Sequence, residues 1–134
     1  MYIGEKSLRE NAQVHYNCCQ AVLMSFCRAC GLDEDAACRL GAHFGSGMRH
    51  GGTCGAVTGA LMVLGMTGGD EQAARALMNG VREKHGALDC AHLLARAREE
   101  GVERTCHCNG MVYQCVALGE GLLEQNGEAA GGQA

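Results

Sequence analysis

The sequence predicts an all-α fold, a compact bundle of about six helices around a central apolar helix. Three observations point there. The chain has no proline, and Ala, Leu, Met, Glu and Arg, all good helix formers, are abundant. The stretch Gly55 to Gly65, GAVTGALMVLG, carries no charge; a helix without a polar face belongs inside a bundle. No segment gives a convincing β-hairpin signal. The 134 residues suffice for one domain with its own core and fall short of two. We place that domain at residues 1–125 and expect a disordered tail at 126–134, NGEAAGGQA. With 4% aromatics and no Trp, the core must be built from Ala, Leu, Val, Met and Cys.

The elements follow in order. Ser7 is a candidate cap for a first helix reaching about residue 30, with Glu10 completing a capping-box pattern. At about 100° per residue, Gln13, Asn17, Gln20 and Arg28 gather on one polar stripe, so the rest of this helix is buried. Asp33 begins a second helix, DEDAACRLGAHF, which ends in the glycines at 45 and 47. The apolar third helix starts after Thr53 and closes at the glycines from 65 to 69. Gly55 and Gly59 share a face, so a neighbour can pack on it almost backbone to backbone. Asp70 starts an amphipathic fourth helix with Ala74, Leu77, Met78 and Val81 inward. Asp89 caps a fifth helix ending at Gly101, and Thr105 caps a sixth, CHCNGMVYQCVALGEGLL.

Charge and composition exclude several functions. The net charge is −4 and no basic stripe exists, so a nucleic-acid partner has no electrostatic support. The first residues, MYIGEKSLREN, contain no apolar core of a signal peptide, and the run after Cys54 is too short to cross a bilayer. The expectation is a cytoplasmic protein with no membrane partner. Ten cysteines in such a chain indicate metal binding or redox chemistry rather than a disulfide framework.

Cysteine follows a capping residue at three helix starts: Thr53-Cys54, Asp89-Cys90 and Thr105-Cys106, with Cys108 close behind. Helix N-termini offer free N–H groups and about half a positive charge, both favouring thiolates. Converging such ends would hold an anionic, thiolate-ligated object; a single buried cysteine, by contrast, is most simply a small apolar residue. The first helix could add Cys18 or Cys19, and periodicity does not choose between them. Cys27 and Cys30 form a C-x-x-C at a helix C-terminus, whose dipole opposes a thiolate, so packing explains them better. Cys38 reads as a packing residue, and His50 and His107 as surface histidines close to the proposed ligands. Arg49 in GSGMRHGG could balance cluster charge.

With NCCQAV at 17–22 and CGAVTGALMVLG at 54–65, the sequence resembles the C-GCAxxG-C-C family, a redox family named for its cysteine pattern. The resemblance covers roughly residues 11–123. It places the family's first cysteine on Cys18 and the central one on Cys54. Thr53 and Gly55 stand where the family's name has glycine and alanine, and the nearest following glycine is Gly59. The third cysteine falls on Cys90, with Leu93 after it. The fourth falls on Cys108 or Cys115, and the distance to the end of the last helix favours Cys108. The resemblance implies a helical, dimeric protein with a redox-active or iron–sulfur role. Related domains occur with c-type haem, but no C-x-x-C-H motif is present here.

Three functions follow as expectations. The first is an iron–sulfur protein with Cys18, Cys54, Cys90 and Cys108 as metal ligands, exchanging electrons with an unidentified redox partner protein, as a homodimer. The second is a metal-free thiol–disulfide redox protein. The third is a helical protein stapled by structural zinc, although zinc sites usually show paired C-x2-C knuckles, which are missing here.

Overall fold

Four residues, Asn17-Cys18-Cys19-Gln20, set where the bundle begins. The computed structural model describes residues 8–10 and 13–133, with side chains to Glu124. In it, helix α1 spans Cys18–Ser25, much shorter than expected. The Asn17 side chain accepts the Gln20 N–H at 2.7 Å, and Gln20 Oε1 accepts the Asn17 N–H at 2.9 Å. This reciprocal capping box starts a helix at Cys18, so the polar stripe read across 13–28 is in part a cap. Ser7, the expected cap, lies outside the described residues. Residues 26–31 form turns instead of a further helical turn.

Helix α2 (Glu34–Leu40) is capped by Asp33, which accepts the Ala36 N–H at 2.7 Å. The capping side chains of α1 also tie it to α2. Asn17 Nδ2 donates to the Gly41 and Ala42 carbonyls, and Gln20 Nε2 to the Cys38 carbonyl. A tight turn at Gly47–Gly51 leads into α3 (Gly55–Met66). After it come α4 (Glu71–His85), α5 (Cys90–Glu99) and α6 (Arg104–Gln133). Asp70 caps α4 through the Ala73 N–H at 2.9 Å. Helix α6 begins at Arg104 rather than after Thr105, and its backbone stays helical to Gln133, through the stretch read as a tail. No strand occurs among the described residues; one isolated antiparallel bridge joins Thr53 to Asp89.

Helix α3 is central, as its composition predicts. It packs against α1, α4 and α6 and buries Ala56, Val57, Ala60, Val63 and Leu64. Each buried Val or Leu contributes about 1.5–3 kcal/mol. Its glycine face meets α1. A methyl group added at Gly59 would lie 3.0 Å from the Cys19 carbonyl oxygen, and one at Gly55 would lie 2.8 Å from the Phe44 oxygen. On α4, Leu77 and Val81 are buried with Ala73, while Ala74 and Met78 are half-buried. No described helix is long and apolar enough to cross a membrane.

Candidate functional site

The bridge between Thr53 and Asp89 fixes two cysteines side by side. The Cys54 N–H donates to the Leu88 carbonyl at 2.8 Å, and the Cys90 N–H donates to the Gly52 carbonyl at 2.7 Å. Two helix starts are thereby clamped together one residue before each helix turns away. Cys54 is itself the N-cap of α3, so Thr53 belongs to the bridge and does not cap. Asp89 occupies the N-cap of α5 without a capping bond; its carboxylate lies 3.4 Å from His92 Nδ1. The turn behind Cys90 is tight: a methyl group at Gly47 would come within 2.8 Å of Cys90 Cβ. Ser46, Gly47, Met48 and Arg49 all have positive φ, between 53° and 68°. For the three that are not glycine this costs about 1–2 kcal/mol each, and such strain concentrates at functional sites.

Cys18, Cys54, Cys90 and Cys108 line one cavity of about 220 Å³. They arrive from the first turn of α1, the cap of α3, the first turn of α5 and the second turn of α6. Leu93, Leu94 and Met111 supply apolar wall, and Arg9, Arg104, His15 and His107 supply nitrogen. Among the described residues no Asp or Glu lines it. Cys106 and Cys115, the other candidates on α6, do not line this cavity. Cys106 is exposed in a separate groove with Glu10, Glu103 and Tyr113, and Cys115 is fully buried in the core. Cys19 is likewise buried beneath the site. Among the described residues no group of three or more His, Cys, Asp or Glu is placed to hold a single metal ion.

The four thiols are not electrostatically alike. Cys18 and Cys108 are hydrogen-bonded to each other. That bond lowers the Cys108 pKa to about 6, with help from Arg9 and from Arg104, which also bonds to it. The same bond and burial push Cys18 upward, so Cys18 donates its proton to a Cys108 thiolate. Burial raises Cys54 as well. The Ala56 and Val57 N–H groups face its sulfur and oppose the rise without closing a full cap hydrogen bond. Cys90 is raised by burial and by Cys108. Below them, burial pushes Cys19 and Cys115 to about 12, with the nearby Cys54 adding to the shift.

The site's cations differ from the sequence expectation. Arg49 is not part of the lining; its Nη2 lies 2.6 Å from His43 Nδ1. Arg9 and Arg104 stand there instead, brought together only by the fold. His107 lines the cavity, its ring edge-on to His85 at 6.1 Å, and burial lowers its pKa. His50 and Cys38 do not line it, and neither do Cys27 and Cys30, which lie buried beyond the end of α1.

No curated protein and no solved structure matches the chain. The sequence model of one family, described as "Putative redox-active protein (C_GCAxxG_C_C)", matches residues 16–121. The match contains all four cavity cysteines and most of the helices that carry them. Within it the stretch after the central cysteine reads Gly55-Ala56-Val57-Thr58-Gly59, which sets both glycines on the face that touches α1. With most of its length matched and its thiols gathered at one cavity, the chain belongs to the C_GCAxxG_C_C family of redox-active proteins.

Proposed function

We propose that this protein is a small electron carrier in which Cys18, Cys54, Cys90 and Cys108 hold an iron–sulfur cluster. One observation carries the reading: four cysteines from four helices line a single cavity together with two arginines and, among the described residues, no carboxylate. The donor set suits the group. Iron–sulfur clusters are held by cysteine thiolates, and hydrogen bonds and charge around the sulfurs set their potential. The cluster would supply reversible electron transfer. The chain's part is to hold and shield: the bridge at Thr53 and Asp89 pairs two ligands, and Cys19, Cys115 and Met111 keep water from beneath. Arg9 and Arg104 offset thiolate charge. A single tetrahedral zinc needs its sulfurs about 2.3 Å from one centre. Structural zinc also favours paired C-x2-C knuckles, whereas these four cysteines come singly from four helices.

A second reading has its own support. A low-pKa thiolate hydrogen-bonded to a neutral thiol, as in Cys108 and Cys18, is the starting arrangement for metal-free thiol–disulfide exchange. Purification without oxygen separates the two. The cluster reading expects a brown protein with iron and acid-labile sulfide, whose colour is lost in Cys54→Ser and Cys90→Ser. A colourless, metal-free protein in which only Cys18 and Cys108 cycle with a disulfide couple would replace it with the second reading. Stoichiometric zinc would overturn both. In either case the reading is of a cytoplasmic protein serving a partner redox protein, and sedimentation tests the homodimer that the resemblance implies.

A further inference from the structure

Charge around the cavity is one-sided. The chain has 15 Asp and Glu against 11 Lys and Arg, yet among the described residues two arginines and no carboxylate line the cavity. Arg9 is braced from behind: its Nε donates to Asn109 Oδ1 at 2.8 Å and its Nη1 to the Tyr16 carbonyl at 2.6 Å. Its Nη2 takes part in neither bond. Arg104 lines the same cavity, with Nη2 3.5 Å from Ser46 Oγ, and it also bonds to Cys108. Among the described residues neither arginine pairs with a carboxylate, whereas Arg39, Arg75 and Arg96 each do.

The dimensions narrow what could use that charge. About 220 Å³ is below the roughly 300–1,000 Å³ of pockets for drug-sized ligands and cofactors. A space of that size suits a small ion better than a large cofactor. Guanidinium groups present paired N–H donors that match two oxygens of an oxyanion. The wall at Leu93, Leu94 and Met111 lowers the local dielectric and strengthens the attraction.

We infer that the cavity mouth is an anion site, in which Arg9 and Arg104 hold a small oxyanion, inorganic or the carboxylate of a short organic acid, beside the thiols. That this anion is what the redox centre acts on rests on the function proposed above; its binding does not.

Calorimetric titration of the full-length protein with sulfate and with acetate, at low ionic strength and with iron assayed in each sample, tests the site. Saturable binding of one anion per chain is expected, at least tenfold weaker in Arg9→Gln and Arg104→Gln. Arg104→Lys, which keeps charge and loses the paired donors, should fall between. Arg49→Gln should bind like the wild type. Binding of sulfate alone assigns inorganic oxyanions, and of acetate alone carboxylates. Absence of saturable binding in the wild-type protein overturns the inference. So does an equal loss in Arg49→Gln, or an Arg104→Gln variant that loses iron while keeping its anion affinity. A colourless protein that binds anions through both arginines removes the cluster and keeps this site; a brown protein that binds neither anion does the reverse.

Discussion

Replacing Gly59 with alanine should harm the protein through a contact only a glycine permits. The added methyl would lie 3.0 Å from the Cys19 carbonyl oxygen, 3.1 Å from Val22 Cβ and 3.4 Å from Cys19 Cα. Comfortable contacts lie at about 3.5–4.0 Å, so α1 would have to retreat by several tenths of an ångström. Overpacking of this kind costs about 1–3 kcal/mol, and the better helix propensity of alanine returns about 1 kcal/mol. The expected net loss is about 1 kcal/mol. Gly65→Ala, on the exposed side of the same helix, meets nothing within 4 Å and should gain about 1 kcal/mol. The two variants should then differ by about 2 kcal/mol, or about 1 M in urea midpoint for m near 2 kcal/mol/M. Urea unfolding of the reduced, metal-free protein gives both numbers. Because α1 carries Cys18, Gly59→Ala should also weaken the Cys18–Cys108 bond and slow alkylation of Cys108 near pH 7. Midpoints that move together would refute the close approach of α1 and α3.

Three further outcomes follow from single residues. Asn17→Ala removes the cap of α1 and the ties to Gly41 and Ala42; it should cost about 1–2 kcal/mol, read from thermal or urea unfolding, with Asn17→Asp restoring only the cap. In metal-free protein, alkylation of Cys108 followed by mass spectrometry should show a midpoint of about 6, against 9.0 for an ordinary cysteine. Cys18→Ala and Arg104→Gln should both move that midpoint up, and a wild-type midpoint near 9 would sink the thiolate assignment. Cys19 and Cys115, held near 12 against 9.0, are protonated in the fold and ionise more readily when it unfolds. The stability this provides is present below pH 9 and is lost as pH rises from 9 toward 12, by about 1 kcal/mol per thiol at pH 10. Cys115→Ala should flatten that alkaline decline; an unchanged slope would contradict it.

Where local chemistry decides, the sequence was a good guide. The uncharged run after Cys54 marks the buried helix, Asp33 and Asp70 mark helix starts, and Gly55 with Gly59 marks the close packing against α1. The start of α1 differs from the periodicity because an apolar pattern can run through a capping box, and Asn17 with Gln20 wins by satisfying two orphan N–H groups at once. The left-handed turn at 46–49 had no signal, since Ser, Met and Arg do not favour positive φ. The bridge at Thr53 and Asp89 is too short for any period. Arg9 and Arg104 lie far apart in the chain and acquire a role only where α6 meets the segment before α1, so no motif could name them.

The chemistry of the cavity also reverses the reason for expecting thiolates there. Sequence logic relied on helix N-termini, whose dipole is worth about 0.3–1 kcal/mol, less than one pKa unit at 1.36 kcal/mol. Burial can shift a group by several units. Cys54, at the N-cap of α3 with two N–H groups facing it, is therefore raised and not lowered. Cys108, a full turn inside α6, is the depressed thiol, because a donated proton from Cys18 and two guanidinium groups stabilise its charge. Helix starts thus place the sulfurs, and side chains from elsewhere decide which one is charged. Three neutral thiols around one thiolate leave most of the site's negative charge to be created when metal binding displaces their protons. Arg9 and Arg104, set in the wall with no carboxylate against them among the described residues, stand where that charge would form.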